Sequence, residues 1–280
     1  MLPEVIAIIH MMIRRLFLLV IIFAVSLAPC AISVSRADSL ADEIHKRAEQ
    51  RDTEAAATLC RMYYNNEIAA RDYHEPDYHE PVQWCRKAAA QGSAEAQFYL
   101  GRLYDDGHGI ARDYAEAAKW YRRAAAQGFI EAAAHLGIFY DEGIGVEQNY
   151  VESVKWLRMA ALRGNPLAQC KLGINYFLGR GVEKDYAESL KWTRMAAEQG
   201  MAEAQYNLGE AYYNGESVPR DYAEADKWFS EAARLGYEPA KKAHKDAQKH
   251  NSDIARSGYY SATAVLIGMV ARTLFFRRGF

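Results

Sequence analysis

The stretch from Gly92 to Gln127, GSAEAQFYLGRLYDDGHGIARDYAEAAKWYRRAAAQ, decides the fold because it returns along the chain at a fixed spacing. Shifting the frame by 36 residues brings back the same pattern at 128–163, 164–199 and 200–235. Each copy carries a tryptophan in the same column, at Trp120, Trp156, Trp192 and Trp228. A period of this length predicts a solenoid, in which stacked neighbours bury an apolar face that no unit buries alone.

Each unit is predicted to contain two helices. In the first, Ala96, Leu100 and Leu103 recur at offsets of three and four, which is one face of a helix. A glycine is expected to end this helix, because glycine adopts positive φ without steric cost. The second helix is predicted to begin after Asp113, whose carboxylate can accept hydrogen bonds from the first turn, with Glu116 reaching back to complete a capping box. The same pair recurs as Asn149/Glu152, Asp185/Glu188 and Asp221/Glu224.

These residues resemble the Sel-one-like repeats, relatives of the tetratricopeptide repeat. In one copy the likeness is carried by Ala204, Leu208, Gly209, Tyr212, Gly215, Val218, Asp221, Tyr222, Glu224, Ala225, Lys227, Trp228, Ala232, Ala233 and Gly236. The resemblance implies a right-handed superhelix of helical hairpins that serves protein binding and complex assembly, and it implies no common enzyme activity. The expected fold class is therefore all-α, an α-α superhelical solenoid of five repeats plus caps over residues 39–248.

The five repeats are expected at about 51–91, 92–127, 128–163, 164–199 and 200–235, after a capping helix at 39–50. The first repeat is longer because the sequence DYHEP at 72–76 is repeated at 77–81. This duplication brings His74, Glu75, His79 and Glu80 together, and such side chains can bind metals. Pro76 interrupts any helical face that would join the two histidines. We therefore expect a long loop between helices, with no metal and no cofactor.

Residues 1–37 differ in kind from the repeats. Arg14 and Arg15 precede an apolar run at 16–28, and small residues follow up to Ala37. This order predicts a secretory signal peptide that is cut after Ala37, and therefore a periplasmic or secreted product. An uncleaved N-terminal anchor is the alternative. A lipoprotein signal at Cys30 is disfavoured, because Pro29 stands where a small residue is expected.

The tail at 249–280 also departs from the repeat pattern. Its apolar segment, 259–271, is shorter than the roughly 20 residues that a membrane-spanning helix needs, and Arg272 follows it. It could form a short anchor, an interfacial helix or a cap over the last repeat. Membrane contact is thus possible through 16–28 and through 259–276.

Cysteine and charge limit the other possibilities. Cys30 would leave with the signal, so that Cys60, Cys85 and Cys170 remain, an odd number for a secreted protein. Buried free thiols are the default expectation. A Cys60–Cys85 bridge in an oxidising compartment is the alternative. The formal net charge of −2 gives no reason to expect nucleic-acid binding, which requires a basic surface.

The chain is not expected to be an enzyme. It has no glycine-rich phosphate loop, no serine elbow and no paired zinc-ligand motif, and its recurring acidic pairs lie where helices begin. The predicted function is an exported scaffold that binds a protein or peptide partner in the cell envelope. A secreted repeat-type hydrolase or cell-wall-active enzyme, and a membrane-anchored assembly factor, are the alternatives.

The candidate partner-binding surface consists of columns on the first helix that vary between repeats. The resemblance places first helices on a concave surface, where such side chains could contact a peptide or protein. These columns contain Tyr99, His135, Lys171 and Asn207; Arg102, Ile138, Ile174 and Glu210; and Asp105, Asp141, Phe177 and Tyr213. The alternative is that they are merely exposed or fill local packing gaps.

Overall fold

The computed structural model of the protein describes residues 41–65, 67 and 79–277, of which 79–81 and 258–277 are described by their backbone alone. The regular elements of these residues are all helices. Helix α1 covers 41–49. The others are α2 (Thr53–Tyr64), α3 (His79–Ala90), α4 (Ala94–Asp106), α5 (Tyr114–Ala126), α6 (Ile130–Glu142), α7 (Tyr150–Ala161), α8 (Pro166–Leu178), α9 (Tyr186–Glu198), α10 (Ala202–Asn214), α11 (Tyr222–Arg234) and α12 (Glu238–Arg277). The chain forms two compact units that divide between Arg112 and Asp113.

The second helix of each repeat begins at the predicted cap. The side chains of Asp113, Asn149, Asp185 and Asp221 each accept two backbone N–H groups of the first turn at 2.9–3.1 Å. The prediction that the glutamate three positions later bonds the backbone N–H of the cap residue is wrong. The N–H of Asn149 donates to the Tyr140 carbonyl, and Asp185 and Asp221 do likewise one and two repeats later. The glutamate is therefore not needed at the cap, and Glu152 instead pairs with Lys155.

Glycine fixes both the end of the first helix and its distance from the second. Gly143 and Gly179 end α6 and α8 in the left-handed region, with φ of 74° and 72°. Inside α10, a Cβ added to Gly209 would lie 2.6 Å from the Phe229 ring of α11. Since real Cβ atoms do not approach so closely, this glycine allows the two helices of one repeat to touch.

A disulfide joins the two helices of the first repeat. The Cα atoms of Cys60 on α2 and Cys85 on α3 are 4.9 Å apart, and their sulfurs are bonded. The expectation of free thiols is wrong for this pair, because the two helices pack with these buried positions facing each other. Cys170 is a free, buried cysteine.

In the second unit, α6 pairs with α7, α8 with α9 and α10 with α11, and neighbouring pairs stack. A bridge recurs at each step of the stack. Arginine side chains of α5, α7 and α9 donate to tyrosine hydroxyls of α6, α8 and α10: Arg122 to Tyr140 at 2.6 Å, Arg158 to Tyr176 at 2.6 Å and Arg194 to Tyr212 at 2.8 Å. Each bond ties the second helix of one repeat to the first helix of the next.

Helix α12 closes the second unit and is 40 residues long. It packs against α11 and contacts α10, so the end of the predicted solenoid, from 238 to 248, and the apolar segment at 259–271 belong to one continuous helix. Among the described residues, no helix combines the length and apolar character that crossing a bilayer requires. The predicted signal at 1–37, with its segment 16–28, and the pair His74 and Glu75 lie outside the described residues. The prediction of an all-α fold built from stacked helical hairpins is confirmed.

Candidate functional site

A groove of about 300 Å³ opens in the second unit between three successive helices. From α8 and α9 it is lined by Ile174, Phe177, Tyr186, Ser189, Leu190 and Thr193. From α10 and the loop that follows it is lined by Glu203, Asn207, Glu210, Ala211, Glu216 and Ser217. We call it the α8–α10 groove. Its volume is at the lower end for ligand pockets, so it has room for one bulky side chain rather than for a large cofactor.

The groove exists because two columns that are bulky elsewhere are small here. Thr193 stands in the column of Tyr121, Leu157 and Phe229, all of which are fully buried. Ala211 stands in the column of Leu103, Phe139 and Asn175, which are also buried. Side chains that plug the space between helices in the other repeats are therefore replaced by short ones at this site.

The loop after α10 also differs from its counterparts. Ser217 has a φ of 67°, the left-handed conformation that Gly145 and Gly181 adopt in the two preceding repeats. A Cβ at Gly181 would collide with the Tyr150 carbonyl at the start of α7. Since Ser217 does have a Cβ, its loop cannot approach the start of α9 as closely. The groove is therefore open on the side of Tyr186.

Two aromatic rings form an exposed rim. Phe177 and Tyr186 expose 36% and 44% of their surface, and their ring centroids are 5.4 Å apart. The Lys184 ammonium lies 5.8 Å from the Phe177 ring centroid and 4.7 Å from that of Tyr186. Exposed aromatic surface beside a cavity is typical of a contact site.

The charges around the groove are only partly compensated. Lys171 Nζ lies 3.1 Å from Glu203 Oε1, and although burial lowers the pKa of Lys171, the Glu203 carboxylate outweighs it and holds that pKa above its usual value. Glu210 accepts a hydrogen bond of 2.7 Å from the Tyr206 hydroxyl. Burial, together with this bond, raises the pKa of Tyr206 to about 12. In the described part of the chain, no cation forms an ion pair with Glu210 or Glu216.

The structure brings together four of the predicted surface residues, Ile174, Phe177, Asn207 and Glu210, in the groove. Lys171 supports its wall through the pair with Glu203. Other candidates in this unit lie elsewhere: the His135 ring stacks on Tyr121 at 5.3 Å, Ile138 is half-buried on α6, and Tyr213 packs 5.1 Å from the Tyr222 ring.

In the first unit, the remaining candidates form a separate cluster on α4. The Tyr99 ring lies 5.3 Å from that of Tyr64, and the Arg102 guanidinium lies 5.2 Å from the same ring. Arg102 also donates to Asp106 at 3.3 Å, and Asp105 is half-buried beside it in the helix. Burial and a hydrogen bond to Asp106 raise the pKa of Tyr64. These side chains are engaged with one another, so the α8–α10 groove is the stronger candidate site.

Sequence reasoning missed the residues that create the groove. Thr193 lies on a second helix and Ser217 in a loop, outside the variable columns of the first helix, and Ala211 lies on a first helix but has no polar group that would mark a contact. The sequence does mark them: Thr193 and Ala211 are smaller than the residues at the same position of other repeats, and Ser217 stands where other repeats have glycine. No metal-binding group of His, Cys, Asp and Glu is found where side chains are described.

Comparison with known proteins agrees with this architecture. No curated protein has a matching sequence. The crystal structure of a Sel1 repeat protein from Oxalobacter formigenes is 33% identical, with a TM-score of 0.67 over 76% of this chain and 84% of that one. That of a protective antigen present in uropathogenic Escherichia coli strains is 34% identical, with a TM-score of 0.66 over 74% of this chain, which spans only 43% of the antigen. The Sel1 repeat model matches residues 53–93, 94–129, 130–165, 166–201 and 202–237, and the chain therefore belongs to the Sel1 repeat family.

Proposed function

We propose that this protein is an exported scaffold of the cell envelope that binds a peptide segment of a partner protein in the α8–α10 groove. Sel1 repeat proteins generally act as protein–protein interaction scaffolds. The observation that carries the proposal is the replacement of buried plugs by Thr193 and Ala211, because a cavity in a repeat core costs stability unless something fills it.

Two features support export. A structural disulfide such as Cys60–Cys85 is typical of proteins in oxidising compartments such as the periplasm. The order of charged, apolar and small residues at 1–37 is that of a secretory signal. The proposal therefore places the chain outside the cytoplasm.

The proposed role is binding rather than catalysis. A hydrolase would need a nucleophile beside a general base in the groove. The hydroxyls of Ser189, Thr193 and Ser217 line it, but in the described chain none of them forms a hydrogen bond with a lining glutamate that could act as the base. The carboxylates of the lining glutamates contact the partner and take no part in bond cleavage.

The groove can be tested by filling it. The double substitution Thr193→Leu and Ala211→Leu places leucine where Leu157 and Leu103 stand in other repeats, so we expect the variant to fold. The purified wild-type and filled proteins are each used to capture partners from the cell-envelope fraction, and the captured proteins are identified by mass spectrometry. We expect at least one species that the wild type captures to be lost from the filled variant.

Met195→Leu is the matched control, because Met195 lies on α9, is 39% exposed and does not line the groove. It should retain every captured species. The proposal fails if the filled variant captures the same proteins as the wild type while its urea melt confirms that it is folded.

A further inference from the structure

We infer that the segment bound in the α8–α10 groove carries a bulky apolar side chain directly followed by lysine or arginine. This inference rests on the proposed function and adds the chemistry of the partner.

The apolar part of the recognition follows from the walls. Ile174, Leu190 and Ala211 supply aliphatic surface, and the exposed rings of Phe177 and Tyr186 extend it to the rim. Several of the lining residues are polar, and of these Glu203 is already paired with Lys171. An aromatic or aliphatic side chain that enters here removes the rim and the walls from water, which is the main source of binding free energy at such sites.

The preference for lysine or arginine follows from two carboxylates, Glu210 on α10 and Glu216 in the loop after α10. Both side chains are exposed, and neither has a cationic partner within the described chain. Lys171 is engaged with Glu203, and Lys184 with the rings of Phe177 and Tyr186. Arg220 donates to the Asn214 carbonyl, and Lys242, which lines a neighbouring pocket with Glu210, forms no ion pair with it in the described chain. A partner's ammonium or guanidinium group beside the apolar anchor would therefore meet two carboxylates, whereas an acidic segment would be repelled.

Synthetic peptides of fixed length test the two parts separately. The labelled peptide GSGLFRKGSG is titrated with the full chain and its binding is followed by fluorescence anisotropy. We expect GSGAARKGSG to bind about 30-fold more weakly, as for the loss of a buried anchor. We expect GSGLFEEGSG to bind about fivefold more weakly, as for two exposed ion pairs. This second difference should shrink as salt is added.

Variants of the protein locate the effect. The double variant Glu210→Gln and Glu216→Gln should lose about fivefold in affinity for GSGLFRKGSG and nothing for the neutral GSGLFQQGSG. Glu183→Gln is the matched control, because Glu183 is exposed and does not line the groove. It should change neither affinity.

The outcomes separate the inference from the proposed function. Equal binding of the basic and acidic peptides, with the groove-filled variant binding neither, would leave the groove as a peptide site and overturn the cationic part. Failure of every peptide to bind, or binding that the groove-filled variant retains, would overturn the inference, whereas the proposed function fails only if the capture experiment also shows no difference between the wild type and the groove-filled variant.

Discussion

At the scale of the residue, the same backbone conformation is used in two ways in successive repeats. Gly181 and Ser217 have φ values of 68° and 67° at equivalent positions. At Gly181 there is no room for a side chain, because the backbone of Tyr150 lies against it. At Ser217 a side chain is present and lines the groove. Whether the loop packs against the preceding helix or leaves the groove open therefore depends on a single Cβ atom.

This difference predicts that substitutions at the two positions change stability by different amounts. Gly181→Ala should lower the free energy of unfolding by about 2–3 kcal/mol, since it adds both left-handed strain and a collision with the Tyr150 backbone. Ser217→Gly should change it by less than about 1 kcal/mol, because relief of strain is offset by a more flexible unfolded chain. Urea melts of the two variants measure both values. Equal destabilisation by the two changes would contradict the account of the open loop.

At the scale of the element, nearby residues determine where each helix begins and ends, whereas contacts between repeats determine how the helices pack. The caps at Asp185 and Asp221 and the closing Gly179 act within a few residues of sequence, so their places could be predicted. The arginine–tyrosine bridge from Arg158 to Tyr176 joins different repeats, and it could not be inferred from helical periodicity alone.

The disulfide between Cys60 and Cys85 is a covalent cross-link between α2 and α3. Its cysteines are 25 residues apart in sequence. A cross-link that closes a loop of this length in the unfolded chain raises the free energy of unfolding by about 3 kcal/mol. The double variant Cys60→Ala and Cys85→Ala should therefore unfold at a lower urea concentration in a melt followed by circular dichroism.

A reducing agent provides the control for this prediction. It should lower the stability of the wild type and leave the double variant unchanged, since Cys170 is free in both. A wild-type protein whose melt does not respond to complete reduction would show that the bridge contributes little to the stability of α2 and α3.

At the scale of the whole molecule, repetition made the fold predictable and concealed the site. Columns such as the one that contains Leu208 are set by packing in every copy, so one copy predicts the others. The groove arises where the columns of Thr193 and Ala211 deviate together. That these two deviations face one cavity depends on how α9 and α10 stack, which the alignment of repeats does not contain. The expectation of free thiols at Cys60 and Cys85 was wrong for the same reason, because their pairing depends on how α2 and α3 pack.

Export gives the last prediction, because a chain that the signal at 1–37 directs to the periplasm should form the Cys60–Cys85 disulfide there. When the full chain is expressed in a bacterium with its signal, the Cys60 and Cys85 thiols should resist alkylation in the periplasmic fraction until a reductant is added. A version that lacks residues 1–37 should stay in the cytoplasm with both thiols open to alkylation after unfolding, because the cytoplasm keeps thiols reduced. Mass spectrometry of the peptides that contain the two cysteines distinguishes the states. A full chain found in the cytoplasm with both thiols reduced would refute export and would leave the groove to be explained by a cytoplasmic partner.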